Sequence, residues 1–447
     1  MTIGNDLRRA VKGQVLVSGD DTFDQARRPW SLVVDQPVLA VVEAEDAADV
    51  AALVRYARLA GLSVSAQPSG HGATGAVEGV ILLRTGRLGG VEIRPGQRTA
   101  RVGAGVRWSE VLSAASPHGL TGLAGSSPVP NVVGYTLGGG LSWFSRRHGL
   151  AADSVRAFDV VDAEGVMTRV TADSDAELFW ALRGGGGDFA LVTALEFDLY
   201  PAPHLYGGRL IWPAERAREV LAAFREVTAE APEELAVWFN LLDFPPLPFL
   251  PDALRGKALV AIDTAFLGEA GEGRALLRRF EEIGGMTDDT RRPLAVANLG
   301  DICAEPTEPT SGVGHAELLT GLDDAAAEVL LTDPIAPLLS LQIRHLGGAL
   351  ARPVPGGGAC GHLSEPYSLY MIGVTPTAEA VAAAETRQKE IAGALVPYTS
   401  GRKPYTFLGV GERAAAAFPG DVLARLRGVK RARDPRNVFR SNYPVLG

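Results

Sequence analysis

The stretch Ser63-Val64-Ser65-Ala66-Gln67-Pro68-Ser69-Gly70-His71-Gly72 decides how this chain is read. Four residues of strand character run into a turn that presents one histidine between two glycines. Upstream, Val38-Leu39-Ala40-Val41-Val42-Glu43-Ala44 is apolar and β-branched, which predicts a strand. Between the two strands, Asp46 to Leu59 sets Val50, Leu53, Val54 and Ala57 on one helical face, and Gly61 supplies the stop. Strand, helix, strand and loop in that order deliver His71 at a strand end.

A lone histidine is most often a hydrogen-bonded structural residue. Here the flanking glycines let a bulky planar ligand approach the ring. No second His, Cys or carboxylate stands at metal-ligand spacing, so no metal site is expected. What remains is an imidazole nitrogen able to act as a nucleophile.

Working outward, Val80-Ile81-Leu82-Leu83 reads as a strand, and residues 90–103 as a hairpin turning at Pro95-Gly96. A helix follows from Trp108. Residues 119–149 are glycine-rich with little periodicity, 155–171 form a second hairpin, and Asp175–Leu182 a helix. Phe189 to Leu199 alternates as a strand. Gly138-Gly139-Gly140 and Gly184-Gly185-Gly186-Gly187 are candidates for converging backbone N–H groups on a diphosphate, or for tight turns. A Rossmann fingerprint is disfavoured, because Gly103-Ala104-Gly105 lacks the third glycine.

Pro201 and Pro203 mark a boundary. Beyond Leu205 the sequence alternates strands (Ala236–Leu241, Ala258–Thr264, Ser340–Ile343, Tyr367–Val374) with alanine-rich helices. Residues 245–251 read as a proline-rich loop. A helix from Asp421 to Arg433 stops at Asp434-Pro435.

The composition, 46% apolar and 21% charged over 447 residues, is that of a globular chain with room for two or three domains. The formal charge of −9 argues against a nucleic-acid partner. No apolar h-region follows Arg8-Arg9, no run reaches the ~20 apolar residues of a membrane span, and Cys303 and Cys360 make no disulfide framework. These features predict a cytoplasmic protein without membrane partners.

Five segments in order carry a family resemblance: Gln67-Pro68-Ser69-Gly70-His71; Val102-Gly103-Ala104-Gly105; Gly134-Tyr135-Thr136-Leu137-Gly138-Gly139-Gly140; Phe179 to Gly187; and Asp434 to Asn442. Together they resemble the berberine-bridge-enzyme-like group of FAD-linked oxidases, over residues 25–200 and again over the last forty. The resemblance implies an α+β fold, with a PCMH-type, two-subdomain FAD-binding domain of the vanillyl-alcohol-oxidase superfamily. A substrate domain with an antiparallel sheet covered by helices completes it. The implied division is 1–203 for FAD, 204–400 for substrate, and 401–447 as a segment returning to the FAD domain.

By position, Ser69, Gly70, Gly72, Ser126, Ser127, Gly134, Thr136, Gly138, Gly139, Val192, Asn437 and Asn442 would line the flavin. His71 would bond to its 8α carbon, holding the cofactor permanently and favouring its reduction by substrate. The asparagines fit turn and cap duty after Asp434-Pro435 as well. Doubly linked members carry a cysteine where alignment on Gly134 places Ser127, so one covalent bond is expected. Asp188 stands where asparagine is common.

Such an enzyme takes hydride from a small organic substrate and needs a base for the accompanying proton. Tyr405, Tyr370 and His345 are the candidates. Tyr367 and Tyr370, three apart on one strand, should face opposite sides of the sheet, so at most one reaches the flavin. The family oxidises sugars, alcohols, benzylic amines and secondary-metabolite intermediates, and O2 is the expected acceptor. A dehydrogenase with another acceptor, and a cyclase or accessory protein with structural FAD, are the alternatives.

Overall fold

The computed structural model describes residues 2–246, 252 and 254–447. The part of the proline-rich loop from Leu247 to Pro251 lies outside the described residues.

Among the described residues, three large sheets and a two-stranded ribbon, Leu120–Thr121 with Tyr200–Pro201, organise the chain. The first has four strands in the order Gln14–Val17, Ala40–Glu43, Val80–Arg84, Ser63–Ala66, the last three mutually parallel. Its crossover helix is Ala47–Ala60. The Asp46 side chain caps it by accepting from the Asp49 N–H, and Gly61 ends it at φ 69°. Val50, Leu53, Val54 and Ala57 are fully buried beneath it. At about 1.5–3 kcal/mol for each large aliphatic side chain buried, this face fixes the helix against the sheet.

The second sheet is antiparallel, in the order Val91–Arg94, Thr99–Gly103, Leu191–Asp198, Val155–Val161, Met167–Val170. Its central strand has an irregularity between Val192 and Ala194. The segment read as aperiodic, 119–149, contains two short helices, Val132–Leu137 and Ser145–His148.

The third sheet is the largest. Its order runs Asp288–Asp289, Tyr206–Pro213, Ala258–Phe266, Leu235–Asp243, Ser340–His345, Tyr367–Val374, Gly312–Leu319, with Arg292–Pro293 also paired to Tyr206–Pro213. Strand alternation gives it two unlike faces. Phe239, Leu241, Ile262, Leu341, Ile343, Leu369 and Met371 belong to a core shared with Leu221 and Phe224 of helix Ala217–Glu230 and Ile391 and Leu395 of helix Ala378–Leu395. The opposite face carries Trp238, Asn240, Asp263, Gln342, Arg344 and Tyr370, and Trp238 packs with the core of the first half.

Two strands of this sheet, Tyr206–Pro213 and Gly312–Leu319, are not legible as strands because glycines interrupt them. Those glycines answer to close approach. A Cβ on Gly208 (φ 144°) would lie 2.7 Å from the Arg291 backbone, and one on Gly314 would lie 2.6 Å from the Tyr370 hydroxyl.

The chain end returns to the first half. Helix Gly420–Arg433 leads into a segment whose Val438 carbonyl accepts from the Val64 N–H. Buried Lys430 donates to Asp434 and to the carbonyls of Asp188 and Phe439. The Asp188 carboxylate accepts from the Ser441 and Val445 N–H groups. That anchoring is what an acid at position 188 does here. Among the described residues, no helix is long and apolar enough to cross a membrane.

Candidate active site

The His71 turn is shaped from three sides. Gly70 takes φ 73°, and a Cβ there would lie 2.9 Å from the Pro29 Cα. That close approach stacks the Trp30 ring on the imidazole, with centroids 4.1 Å apart and planes 15° apart. Ser69 Oγ lies 2.7 Å from His71 Nδ1. Asn442 comes back from the chain end: its Oδ1 accepts from Gln67 at 2.9 Å and its carbonyl accepts from the Thr74 hydroxyl. His71 keeps solvent exposure while Trp30 and Ser69 pack against its ring. Burial, with a smaller contribution from the Arg107 charge, lowers its pKa to about 4. At neutral pH the ring is uncharged, the form in which a nitrogen lone pair is available.

Across from this turn, Asn131 caps helix Val132–Leu137 by accepting from the Gly134 N–H. Its amide donates to the carbonyls of Ala104 and Val106 at 2.7 and 2.9 Å, tying the helix to the segment after Thr99–Gly103. Gly134 is exposed, Ser126 and Thr136 are buried, and Ser127 Oγ accepts from the Val129 N–H at 3.4 Å. Val192 is buried on the central strand of the second sheet.

The glycine clusters also make room for side chains. Gly138 admits Thr406, whose Cγ2 would be 2.7 Å from an added Cβ, and Gly139 packs on Cys360. Gly140 admits the Tyr135 ring and Gly184 admits Cys360. A Cβ on Gly186 would overlap the Tyr405 hydroxyl. A small cavity lies against Gly138, Gly139 and Gly140. The backbone stays approachable at Gly72, Gly134 and Gly187, where nothing or only a distant asparagine atom lies near an added Cβ.

Asn437 is the other asparagine of the tail. It is exposed, takes φ 53°, and its carbonyl accepts from Ser63 Oγ at 2.8 Å. It is a left-handed turn residue after Pro435, a role asparagine fills readily. Asn442, five residues on, is the one that reaches the His71 turn.

The three proton-handling candidates separate. His345 follows the alternation of Ile343 and Leu341 and pairs with Tyr367, placing it opposite Arg344. Its Nε2 accepts from Arg146 at 2.9 Å, and burial followed by the Arg146 charge lowers its pKa to about 3. Nε2 is thus occupied, Nδ1 is buried without a partner, and the ring is a weak proton acceptor. Arg146 is an interdomain staple, donating also to the carbonyls of Leu235, Ala231, Pro232 and Leu346. Tyr405 rests on Gly186, faces Tyr443 and donates to its carbonyl at 3.4 Å. Burial and then Asp188 raise its pKa, so it stays protonated.

Tyr367 and Tyr370 do face opposite ways. Tyr367 meets Thr228 and Phe224 on the helix side, whereas Tyr370 meets Phe407 and Arg344. Burial raises the Tyr370 pKa, and Arg344 works against that rise.

Sequence reasoning missed the polar sheet face around Tyr370. Trp238 lies between the Trp143 ring (centroids 3.6 Å, planes 10°) and the Arg344 guanidinium (4.1 Å). Alternating Leu341-Gln342-Ile343-Arg344 was the available signal, with its even positions polar.

The residues present fit a flavin dinucleotide. Gln67 Oε1, beside the His71 turn, and Tyr135 Oη, on the helix opposite, are buried without partners in the chain. Polar atoms of that kind are satisfied by a bound group. No cluster of three or more His, Cys, Asp or Glu side chains placed to hold a metal is found among the described residues.

Comparisons with known proteins agree with this arrangement. Residues 38–171 match the family described as FAD binding domain. The chain is 26% identical to (R)-6-hydroxynicotine oxidase of Paenarthrobacter nicotinovorans, covering 98% of this chain and 97% of that one. It is 22% identical to a Dictyostelium discoideum FAD-linked oxidoreductase, over 99% of this chain and 96% of the relative. Among solved structures, Physcomitrella patens BBE-like 1 superposes with a TM-score of 0.86 at 20% identity, covering 100% of this chain and 99% of its own. Domain, relatives and fold together make the chain a FAD-linked oxidoreductase with the PCMH-type fold of the berberine-bridge-enzyme-like oxidases.

Proposed function

We propose that the chain is an oxidase that tethers FAD covalently through His71 and takes hydride from a small organic substrate, with O2 as the acceptor. The observation that carries the reading is the neutral His71 ring, gripped at Nδ1 by Ser69, on a turn that glycine opens to a flat ligand. Bound FAD would supply a two-electron acceptor for a C–H bond next to oxygen or nitrogen. Ser69, Gly70, Gly72, Ser126, Ser127, Gly134, Thr136, Val192 and Asn442 would line it, with Gln67 added by its unpartnered amide oxygen. Gly138 and Gly139 would shape the wall through the side chains they admit.

Trp143, Trp238, Tyr370 and Phe407 would bound the substrate between the two halves of the chain. Tyr370, kept protonated by burial, would meet the substrate's hydroxyl or amine with its own hydroxyl, on the sheet face it shares with Arg344 and Phe407. Ser127 lacks the nucleophilicity of a thiolate, so the tether is single. Two free thiols, Cys303 and Cys360, suit a reducing cytoplasm. The relatives named for 6-hydroxynicotine and chitooligosaccharide support amines and sugars as the substrates to try first.

Anaerobic reduction with dithionite followed by mixing with air tests the acceptor. Oxidase activity predicts that yellow colour returns within the mixing experiment. A reduced cofactor that persists in air but recovers with a quinone dye would make the chain a dehydrogenase.

A further inference from the structure

On the polar face of the large sheet, charge is unevenly matched. Asp263, fully buried, is saturated: it accepts from Arg209 at 2.5 and 2.8 Å, from Asn240 at 3.0 Å and from the Cys303 thiol at 3.4 Å. Gln342 donates to Asn240 at 2.7 Å and turns its carbonyl oxygen to Arg344 Nε at 2.5 Å. The relay therefore begins with a neutral Arg–Asp pair and ends on an unbalanced guanidinium.

Arg344 is 5% exposed. No carboxylate of the described residues pairs with it, and Glu305 acts on it only through space. Of the five N–H donors of a guanidinium, the Nε–H alone has an acceptor in the protein. The terminal nitrogens have none, and neither is sealed within the protein. Aromatic rings occupy its faces: Trp238 at 4.1 Å, Phe407 at 5.0 Å and Tyr370 at 5.9 Å. Ring faces stabilise the cation but do not satisfy its in-plane donors. A small cavity lined by Trp143, Trp238 and Arg344 opens beside it.

Guanidinium donors left without a protein acceptor beside a cavity are met by water or by an anionic group that enters it, and the anion gains the charge-assisted bonds. We propose that Arg344 anchors an anionic oxygen group, a carboxylate on a planar aromatic body, and so selects the substrate class of this enzyme. The proposal rests on the reading of this interdomain space as the substrate site. The carboxylate would take two in-plane hydrogen bonds, the geometry a guanidinium offers best. The planar body would lie among Trp143, Trp238, Tyr370 and Phe407.

The test uses the holoenzyme with benzoate and its neutral isostere benzamide, read by tryptophan fluorescence, which Trp143 and Trp238 report. Wild type should bind benzoate about tenfold or more tightly than benzamide, the discrimination expected of a charge-assisted pair. Arg344→Gln should bring the ratio near one, and Arg344→Lys should keep part of it. If Arg344→Gln does not fold, the wild-type ratio and the lysine variant decide. Equal binding of the two probes, or no saturable benzoate binding, overturns the proposal. So does a ratio that survives in Arg344→Gln. Return of the oxidised flavin in air tests the oxidase reading separately, so a flavin that air does not reoxidise beside a normal benzoate preference would overturn that reading and leave the anion site standing.

Discussion

Ser69 Oγ sits 2.7 Å from His71 Nδ1, while the Trp30 ring covers the face of the same imidazole. A Nδ1–H donating to this hydroxyl would leave the lone pair on Nε2, so Ser69 is placed to set both the tautomer and the orientation of the ring. Ser69→Ala should lower the fraction of covalently held flavin several-fold at equal total flavin. The flavin fluorescence of the protein band on a denaturing gel measures this. Unchanged covalent flavin would remove Ser69 from the tethering step.

The Lys430–Asp434 pair, 2.8 Å apart and almost fully buried, closes the chain end onto the first half. Asp434→Ala strands the ammonium and frees the Val438 and Phe439 N–H groups that the carboxylate now satisfies. A loss of about 3–5 kcal/mol is expected from a broken buried pair. Urea titration of variant and wild type reads it directly, and a loss under ~1 kcal/mol would contradict the assigned role.

Gly186 is expected to be intolerant. It combines φ 90° with the Tyr405 hydroxyl in the place of a side chain, so Gly186→Ala should cost about 1–3 kcal/mol through strain and overpacking. Tyr405→Phe removes only a 3.4 Å hydrogen bond and should cost less than ~1 kcal/mol. Thermal unfolding of both variants separates the two effects. Equal shifts would show that the hydroxyl, not the space at Gly186, is what matters.

Two histidines make the fold acid-sensitive. Burial lowers His148 to about 4 and His345 to about 3, against an ordinary value near 6.5. From pH 6.5 down to those values the unfolded chain binds protons that the native chain does not, so stability falls as pH falls. Each group contributes at most ~1.4 kcal/mol per pH unit. His345→Gln, which can still accept from Arg146, should flatten the slope between pH 6 and about 4. A slope unchanged in that variant would mean His345 titrates normally.

The FAD-binding half was legible because its signals are local. Strand, cap, helix, glycine stop and strand lie in one run from Val38 to Ala66, and the His71 turn follows at once. The second half hid two strands behind glycines, whose purpose appears only when Arg291 and Tyr370 are seen lying over Gly208 and Gly314. The glycine clusters carry a related signal. A run of glycines tells that something comes close, and here the close groups are Tyr135, Thr406, Cys360 and Tyr405. Asn437 and Asn442 could not be told apart in sequence, since the difference is the left-handed turn at the first. Arg344 went unread because an uncompensated charge becomes visible only once every nearby carboxylate has been assigned.

The central claim is that His71 holds FAD covalently. Acid precipitation of the purified protein, followed by flavin absorbance and mass of the pelleted polypeptide, tests it most directly. The account predicts that the pellet keeps its yellow colour and a mass increment of one FAD in wild type, and loses both in His71→Ala. Intact FAD released to the supernatant from wild type, or colour retained by His71→Ala, would contradict it.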